Sequence, residues 1–175
     1  MNYATIKWTD IANGEGVRIS LFVSGCTHHC ENCFNQVAWD FSYGEPFNEA
    51  VEAQILKELD SGYITGLSLL GGEPLEPENQ QALYPFIQKV KALFPDKTIW
   101  CYTGFIFDEN TGDLKEKRKN LPFTKYLISL FDVLVDGPYL DAKKDIRLKF
   151  RGSSNQRVID VQKTLQTGEI VLYLE

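Results

Sequence analysis

The sequence predicts an α/β fold, in the form of a small partial (open) β/α barrel with a mostly parallel sheet. Extended apolar segments alternate with segments of helical periodicity along the 175 residues, as in parallel strands joined by helical crossovers. A glycine follows each extended segment within two residues, where the chain can turn sharply. Only four such strands can be recognised, too few for a closed eight-stranded barrel, so we expect an open sheet with a lateral mouth.

Four segments rich in β-branched, aromatic and leucine side chains predict the strands. The first leads into a loop that holds three of the four cysteines, and the second ends in a Gly-Gly pair. The fourth cysteine, Cys101, is expected to be a buried strand residue, because an auxiliary cluster would need several more thiolates. The strands are predicted at residues 18–24, 67–70, 98–102 and 133–135.

Apolar residues recur every three or four positions in the intervening segments 47–59, 83–94 and 126–131, which predicts three amphipathic helices. Asn48 is a suitable N-cap for the first of them. Pro85 either kinks the second helix or lies in its first turn.

Near the C-terminus, apolar and basic residues alternate over residues 146–151. This period of two predicts an amphipathic edge strand with a solvated basic face. Docking of a partner protein is a second interpretation of the same pattern.

Composition restricts the class of protein. Hydrophobic residues make up 43% and aromatic residues 13%, enough for a sizeable core in one domain over residues 1–175, with the residues after about 157 as a variable tail. The net charge of −6 argues against general binding of nucleic acid or anionic membranes. Without a membrane-spanning apolar run or a signal peptide, four cysteines predict a cytoplasmic protein with metal or redox chemistry.

The cysteine loop (residues 26–33) carries the most specific signal. Cys26, Cys30 and Cys33 follow the spacing C-x3-C-x2-C, and three thiolates from one short loop can hold three corners of a cubane iron–sulfur cluster. The fourth iron then has no protein ligand and is open to chemistry. A zinc site that adds His28 or His29 is the alternative, although both histidines are expected to be exposed loop residues.

The glycine turn (residues 71–74) follows the second strand. Gly71 and Gly72 expose backbone carbonyl oxygens that could accept hydrogen bonds from a ligand ammonium group. Pro74 stiffens the turn and holds Glu73 extended. By itself the same sequence also suits an ordinary strand-to-helix turn.

The cysteine loop and the glycine turn, in this order and each after a strand, resemble the two motifs of radical S-adenosylmethionine (SAM) enzymes. One departure is that many members have an aromatic residue just before the third cysteine, whereas this chain has Asn32 there and Phe34 just after it. A narrower resemblance covers most of the chain and is to the activating proteins of anaerobic (class III) ribonucleoside-triphosphate reductase. It is carried by residues 13–18, 21–26, 99–104, 132–137 and 151–156.

The resemblance implies a [4Fe-4S] cluster bound by Cys26, Cys30 and Cys33, with SAM chelating the open iron. It implies that SAM is cleaved reductively and that a glycine of the reductase loses a hydrogen atom, with a flavodoxin or ferredoxin as electron donor. Nucleic acid and membrane are not expected partners. The residues expected to contact SAM are Asn32, Cys33, Phe34, Gly71, Gly72 and Glu73.

Two other functions stay open at this point. One is a small radical SAM enzyme that acts on a free metabolite, such as a deazapurine-type synthase, and the other is a zinc-stabilised interaction module without catalysis. Asp136 could position SAM, bind a cation or meet the partner, or simply form a turn. Arg18 and Arg151 could pair with a carboxylate or a phosphate.

Overall fold

One open sheet of eight strands forms the centre of the computed structural model, which describes residues Met1–Glu175. Its strands are β1 (Asn2–Asp10), β2 (Arg18–Val23), β3 (Glu45–Pro46), β4 (Gly66–Gly71), β5 (Thr98–Tyr102), β6 (Val133–Asp136), β7 (Arg157–Asp160) and β8 (Leu172–Leu174). The strand order is β3-β1-β2-β4-β5-β6-β7-β8.

The sheet is parallel only in its middle. β2, β4, β5 and β6 pair in parallel, and they correspond to the four predicted strands. β1 and β3 extend the sheet in antiparallel pairings on one side, and β7 and β8 do so on the other. The prediction of a mostly parallel sheet therefore holds for the centre alone, because the sequence pattern did not reveal the antiparallel strands at both edges.

Four helices connect or flank the strands, and none combines the length and apolar composition that a membrane crossing requires. The Asn48 side chain accepts hydrogen bonds from the backbone N–H of Ala50 and Val51, both at 3.1 Å, which confirms the predicted N-cap. Pro85 lies inside its helix rather than in the first turn. The helices are α1 (Glu49–Leu59), α2 (Pro77–Leu93), α3 (Thr124–Ser129) and α4 (Val161–Thr167), with short 3-10 helices at Gln36–Trp39, Lys117–Lys119 and Asp141–Lys143.

The two faces of the sheet differ in character. One face packs against the helices in a core of 24 buried apolar residues, which includes the fully buried Cys101 as predicted. The other face carries a small apolar cluster around Trp100, together with buried polar residues such as Arg18 and Ser68. Successive side chains of a strand point to opposite faces of the sheet, so neighbouring residues of β5 point alternately to the core and to this second face.

Arg18 is a structural residue of that second face. Only 1% of it is exposed, and the Thr98 carbonyl (2.8 Å), the Leu67 carbonyl (2.9 Å) and the Ser68 hydroxyl (2.8 Å) accept its hydrogen bonds. Burial lowers the pKa of Arg18 to about 10. The guanidinium is therefore engaged in holding β2, β4 and β5 together, rather than in binding a carboxylate or phosphate.

The predicted edge strand over residues 146–151 is wrong. This segment folds on itself, with the Leu148 N–H donating to the Asp145 carbonyl (3.2 Å). Phe150 has a φ of +56°, which lies in the left-handed region and interrupts an extended chain. The alternation of apolar and basic residues therefore arises in a loop between β6 and β7.

Candidate active site

The predicted motifs meet at one edge of the sheet, at the carboxyl ends of the parallel strands. The cysteine loop follows β2, the glycine turn follows β4, and Thr103 and Gly104 follow β5. Together they line a cavity of about 530 Å³. This edge is where ligands bind in parallel α/β folds, because the loops there converge and the helices cover the rest of the sheet.

The three cysteines of the loop all line this cavity and are free thiols. Cys26 is buried, whereas Cys30 and Cys33 are partly exposed. The Cys33 N–H donates to the Cys30 carbonyl (3.2 Å), and the left-handed φ values of His29 (+50°) and Asn32 (+56°) let the loop turn this tightly. The loop therefore brings three thiols to a single cavity wall.

Cys26 and Cys30 lie in surroundings where a thiolate needs a compensating positive charge. Burial raises the pKa of Cys26 to about 12, although the backbone amides of His28 and His29 oppose the rise. Burial also raises the pKa of Cys30, against the effect of the Tyr139 backbone amide. Iron ions supply the positive charge that a buried thiolate requires. The same amides could then donate to ligand sulfurs, which is one way in which proteins tune a cluster.

The histidines of the loop are both engaged elsewhere. His28 Nε2 lies 2.9 Å from Glu73 Oε2, and the His28 side chain is only 17% exposed, so the expectation of an exposed residue is wrong for His28. The exposed His29 ring stacks on Trp39, with ring centroids 4.5 Å apart. No three Cys, His, Asp or Glu side chains converge on the position of a single ion. This donor set fits a cluster with three thiolates on separate irons better than a closed tetrahedral zinc site.

The glycine turn requires both of its glycines. Gly71 has a φ of +110°, in the region that favours glycine. A Cβ on Gly72 would meet the Gly25 carbonyl oxygen at 2.7 Å and the Ala38 carbonyl oxygen at 2.8 Å. The Glu73 N–H donates to the same Gly25 carbonyl (2.8 Å). The turn is thus packed directly against the residue that precedes Cys26.

Glu73 connects the motifs through its carboxylate, which is 1% exposed. Oε1 accepts hydrogen bonds from the Leu75 N–H (2.8 Å) and the Thr103 hydroxyl (2.8 Å). Oε2 accepts from the Gly104 N–H (2.7 Å) and lies beside His28. Glu73 therefore lines the cavity as an anchored group, which ties the glycine turn to the cysteine loop and to the end of β5.

A second anchor, which the sequence did not reveal, holds the start of the cysteine loop. Glu76 precedes α2 and accepts hydrogen bonds from the Thr27 N–H (3.0 Å) and from Lys119 Nζ (2.7 Å). Burial opposes ionisation of Glu76, but the hydrogen bonds from Lys119 and Thr27 prevail and hold its pKa below the usual value. The sequence offered one indication of this anchor, because an acidic residue lies between the glycine turn and the start of the helix after it.

Asn32 and Phe34 lie at the rim of the cavity. Asn32 Nδ2 donates to Asp141 Oδ2 (3.0 Å), and the Tyr139 hydroxyl donates to Asp141 Oδ1 (2.8 Å). These contacts join the cysteine loop to the chain that follows β6. Phe34 is 86% exposed and also lines the cavity.

Asp136 is a buried structural carboxylate. It is 1% exposed, forms an ion pair with Arg157 on the neighbouring strand β7, and accepts a hydrogen bond from the Phe107 N–H (2.8 Å). The Arg157 Nε–H donates to Asp136 Oδ1 at 2.9 Å. The Asp136 oxygens are therefore occupied in joining β6 to β7.

Arg151 lines the cavity and donates a hydrogen bond to the Gln156 carbonyl (2.9 Å).

Comparison with known proteins agrees with this site. A family model described as a 4Fe-4S single cluster domain matches residues 12–159. A protein of Haemophilus influenzae is 46% identical over 158 residues, which are 89% of this chain and 96% of that protein. Proteins of Escherichia coli K12 (40% over 161 residues; 90% and 97%) and of Enterobacteria phage T4 (39% over 160 residues; 90% and 93%) are also similar. All three are named anaerobic ribonucleoside-triphosphate reductase-activating proteins.

Proposed function

Because the chain belongs to the family of anaerobic ribonucleoside-triphosphate reductase-activating proteins and carries a 4Fe-4S single cluster domain, we propose that it is a radical SAM enzyme. Its reaction would generate a glycyl radical on anaerobic ribonucleoside-triphosphate reductase. The observation that carries this proposal is a set of three free thiols beside a Gly-Gly-Glu turn in one cavity, with both nearby histidines engaged elsewhere.

Cys26, Cys30 and Cys33 would hold the [4Fe-4S] cluster. Their common cavity wall and the absence of a fourth cysteine from the loop support this assignment. When bound, the cluster and SAM supply reductive cleavage of the sulfonium and removal of a hydrogen atom from glycine. The protein provides the three thiolates and the backbone amides near their sulfurs.

SAM would bind in the same cavity, in contact with the six residues predicted from the resemblance. Gly71 and Gly72 would bring backbone carbonyls close to its ammonium group, while the anchored Glu73 keeps the turn in place. Asn32, Cys33 and Phe34 would contact SAM from the cysteine loop. Support comes from their shared position around one cavity, since all six line it.

A sheet curved as an open partial barrel would suit a protein substrate. We infer that the sheet curves as an open partial barrel within one radical SAM domain over residues 1–175. The polar second face, with Arg18 and Ser68 buried on it, would then face the interior of the barrel. A lateral opening admits a loop of a folded partner, whereas a free metabolite is better served by an enclosed pocket.

The partner would be the anaerobic reductase, by analogy with the relatives, which are named reductase-activating proteins. We propose a flavodoxin or ferredoxin as the electron donor. We also propose that the enzyme acts in the cytoplasm, where its four unpaired cysteines stay reduced.

Anaerobic incubation with SAM and a reductant tests the function. We expect 5′-deoxyadenosine, and a glycine-centred doublet in the electron paramagnetic resonance (EPR) spectrum once reductase is added. Cys33→Ala should abolish both signals, whereas Cys101→Ala, at a fully buried cysteine outside the cavity, is the matched control. Stoichiometric zinc without iron, or turnover of a free metabolite without a glycyl radical, would contradict the proposal.

A further inference from the structure

The proposed function uses only the Tyr139 backbone amide of the β6–β7 loop (residues 138–156), yet the loop is held in place by contacts of its own. Gln156 Oε1 accepts hydrogen bonds from the backbone N–H groups of Gly152 (2.9 Å) and Ser153 (3.1 Å). The Ser153 hydroxyl in turn accepts one from the Leu140 N–H (3.2 Å). A loop that is already ordered loses less conformational entropy when a partner binds.

Apolar side chains of this loop are exposed around the mouth of the cavity. Ile146 is 91% exposed and lines the cavity, and Leu140 is 41% exposed nearby in the same loop. Phe34 contributes a further exposed ring from the cysteine loop to the same cavity. Single exposed apolar residues are common, but several at the opening of a ligand cavity indicate a surface that another protein covers.

The charge of the loop is opposite to that of the whole chain. The β6–β7 loop has five basic residues and two acidic ones, while the chain has a net charge of −6. Arg147 pairs with Asp145 within the loop. Lys143, Lys144 and Lys149 are exposed and form no ion pair. A basic surface on an acidic protein attracts an acidic partner and orients it during encounter.

The loop also forms part of the cavity that holds the three cysteines. Ile146, Leu148 and Phe150 line it, as does Lys144. A segment of another protein that reaches the cysteines through this opening would touch the loop as it enters.

We propose that the β6–β7 loop is the docking surface for the reductase, and that it binds an acidic surface with an apolar residue at its centre. This surface would lie beside the reductase segment that carries the glycine. The inference rests on the proposed function and adds the place and the chemistry of recognition. The free lysines provide the charge contacts, and Ile146 provides the apolar contact.

Charge reversal at the free lysines tests the proposal. The variant combines Lys143→Glu and Lys149→Glu and leaves Lys144, which lines the cavity, unchanged. Its control, with the same change in net charge, combines Lys57→Glu and Lys115→Glu, at exposed lysines that form no ion pair and do not line the cavity. Affinity for the cognate anaerobic reductase is measured at low and at high salt, and SAM cleavage is measured with a chemical reductant in the absence of reductase.

We expect the loop variant to bind the reductase roughly tenfold to a hundredfold more weakly at low salt, with a smaller difference at high salt. Binding by the control and SAM cleavage by both variants should stay within about twofold of the wild type. Equal loss of binding in loop variant and control would overturn the proposal, and so would wild-type binding by the loop variant. Absence of SAM cleavage in the wild type would instead refute the proposed function.

If the double lysine variant does not fold, Ile146→Ser provides a second test, with Leu93→Ser as an exposed control outside the cavity. We expect only Ile146→Ser to weaken reductase binding, by about fivefold or more. Sedimentation of the chain without reductase tests the alternative that a second copy of this chain binds the β6–β7 loop. A wild-type dimer that dissociates only in the loop variants would overturn the assignment to the reductase.

Discussion

His28 of the cysteine loop and Glu73 of the glycine turn are joined by a contact of 2.9 Å between Nε2 and Oε2. The His28 ring also packs on Phe105, with centroids 4.3 Å apart, and fills the space above Gly104, where a Cβ would lie 2.6 Å from Nε2. The pair connects the loop that would bind the cluster with the turn that would bind SAM. We therefore regard His28 as a positioning residue for the proposed reaction.

Replacement of His28 should weaken SAM binding without removing the cluster. In His28→Ala the Glu73 carboxylate loses a partner in a buried site, at a cost of about 1–3 kcal/mol, which corresponds to a loss of roughly fivefold to 150-fold in SAM affinity. His28→Gln keeps an N–H donor and should restore part of the affinity. Iron content and the SAM-induced change in the EPR spectrum of the reduced cluster provide the measurement.

His29→Ala is the control for this prediction, because His29 stacks on Trp39 at the surface and does not contact Glu73. Loss of iron in His28→Ala, or equal loss of SAM affinity in His29→Ala, would show that His28 only maintains the fold of the loop.

Gly72→Ala should disturb the cysteine loop as well as the glycine turn. The added methyl group would lie less than 3 Å from the carbonyl oxygens of Gly25 and Ala38, both of which belong to backbone. We expect a loss of about 1–3 kcal/mol in the free energy of unfolding and a lower iron content after reconstitution. Gly62→Ala is the matched control, since a Cβ there has no neighbour within 4 Å. An iron content like that of the wild type in Gly72→Ala would count against the coupling of loop and turn.

Arg157→Met should destabilise the sheet between β6 and β7. The substitution leaves Asp136 buried without its cation. Because Arg157 is partly exposed, we expect the free energy of unfolding to fall by about 3 kcal/mol, near the lower limit for a broken buried ion pair. Urea unfolding of the cluster-free protein measures it. Arg147→Met removes an exposed arginine from its pair with Asp145 and should change stability by less than about 0.5 kcal/mol. Similar values for the two variants would mean that the Asp136–Arg157 pair contributes little.

The Glu76 anchor predicts a pH dependence of stability. The pKa of Glu76 is lower in the folded protein than its ordinary value of 4.5, so its ionised form stabilises the fold above that pH. This contribution is lost as the pH falls below 4.5 and through the folded pKa. We expect Glu76→Gln to cost about 1–3 kcal/mol at pH 7 and to approach the wild type in acid.

The measurement is the free energy of unfolding of cluster-free protein at several pH values from 7 downwards. Glu78→Gln, at an exposed position in the first turn of α2 without a lysine partner, should behave as the wild type throughout. A constant difference between Glu76→Gln and wild type at every pH would contradict the proposed ionic contribution.

Sequence reasoning recovered the features that depend on residues close together in the chain. Periodicity located the central strands β2, β4, β5 and β6, and the side chain of Asn48 marked the start of α1. It did not recover β1 and β3 at one edge, or β7 and β8 at the other, which lie in the segment interpreted as a variable tail. These antiparallel strands form because a neighbouring strand offers a free edge, and such an edge is not visible in local sequence.

The spacing of Cys26, Cys30 and Cys33 by itself determined that three thiols lie on one short loop, because eight consecutive residues decide how many thiols the loop can present. Only the tertiary structure decided what surrounds those thiols. His28 and Glu73 are 45 residues apart, and Asp136 meets Arg157 through the register of β6 and β7. Contacts of this kind depend on the packing of the whole chain, since each side chain is paired by the element that folds against it rather than by its neighbours in sequence.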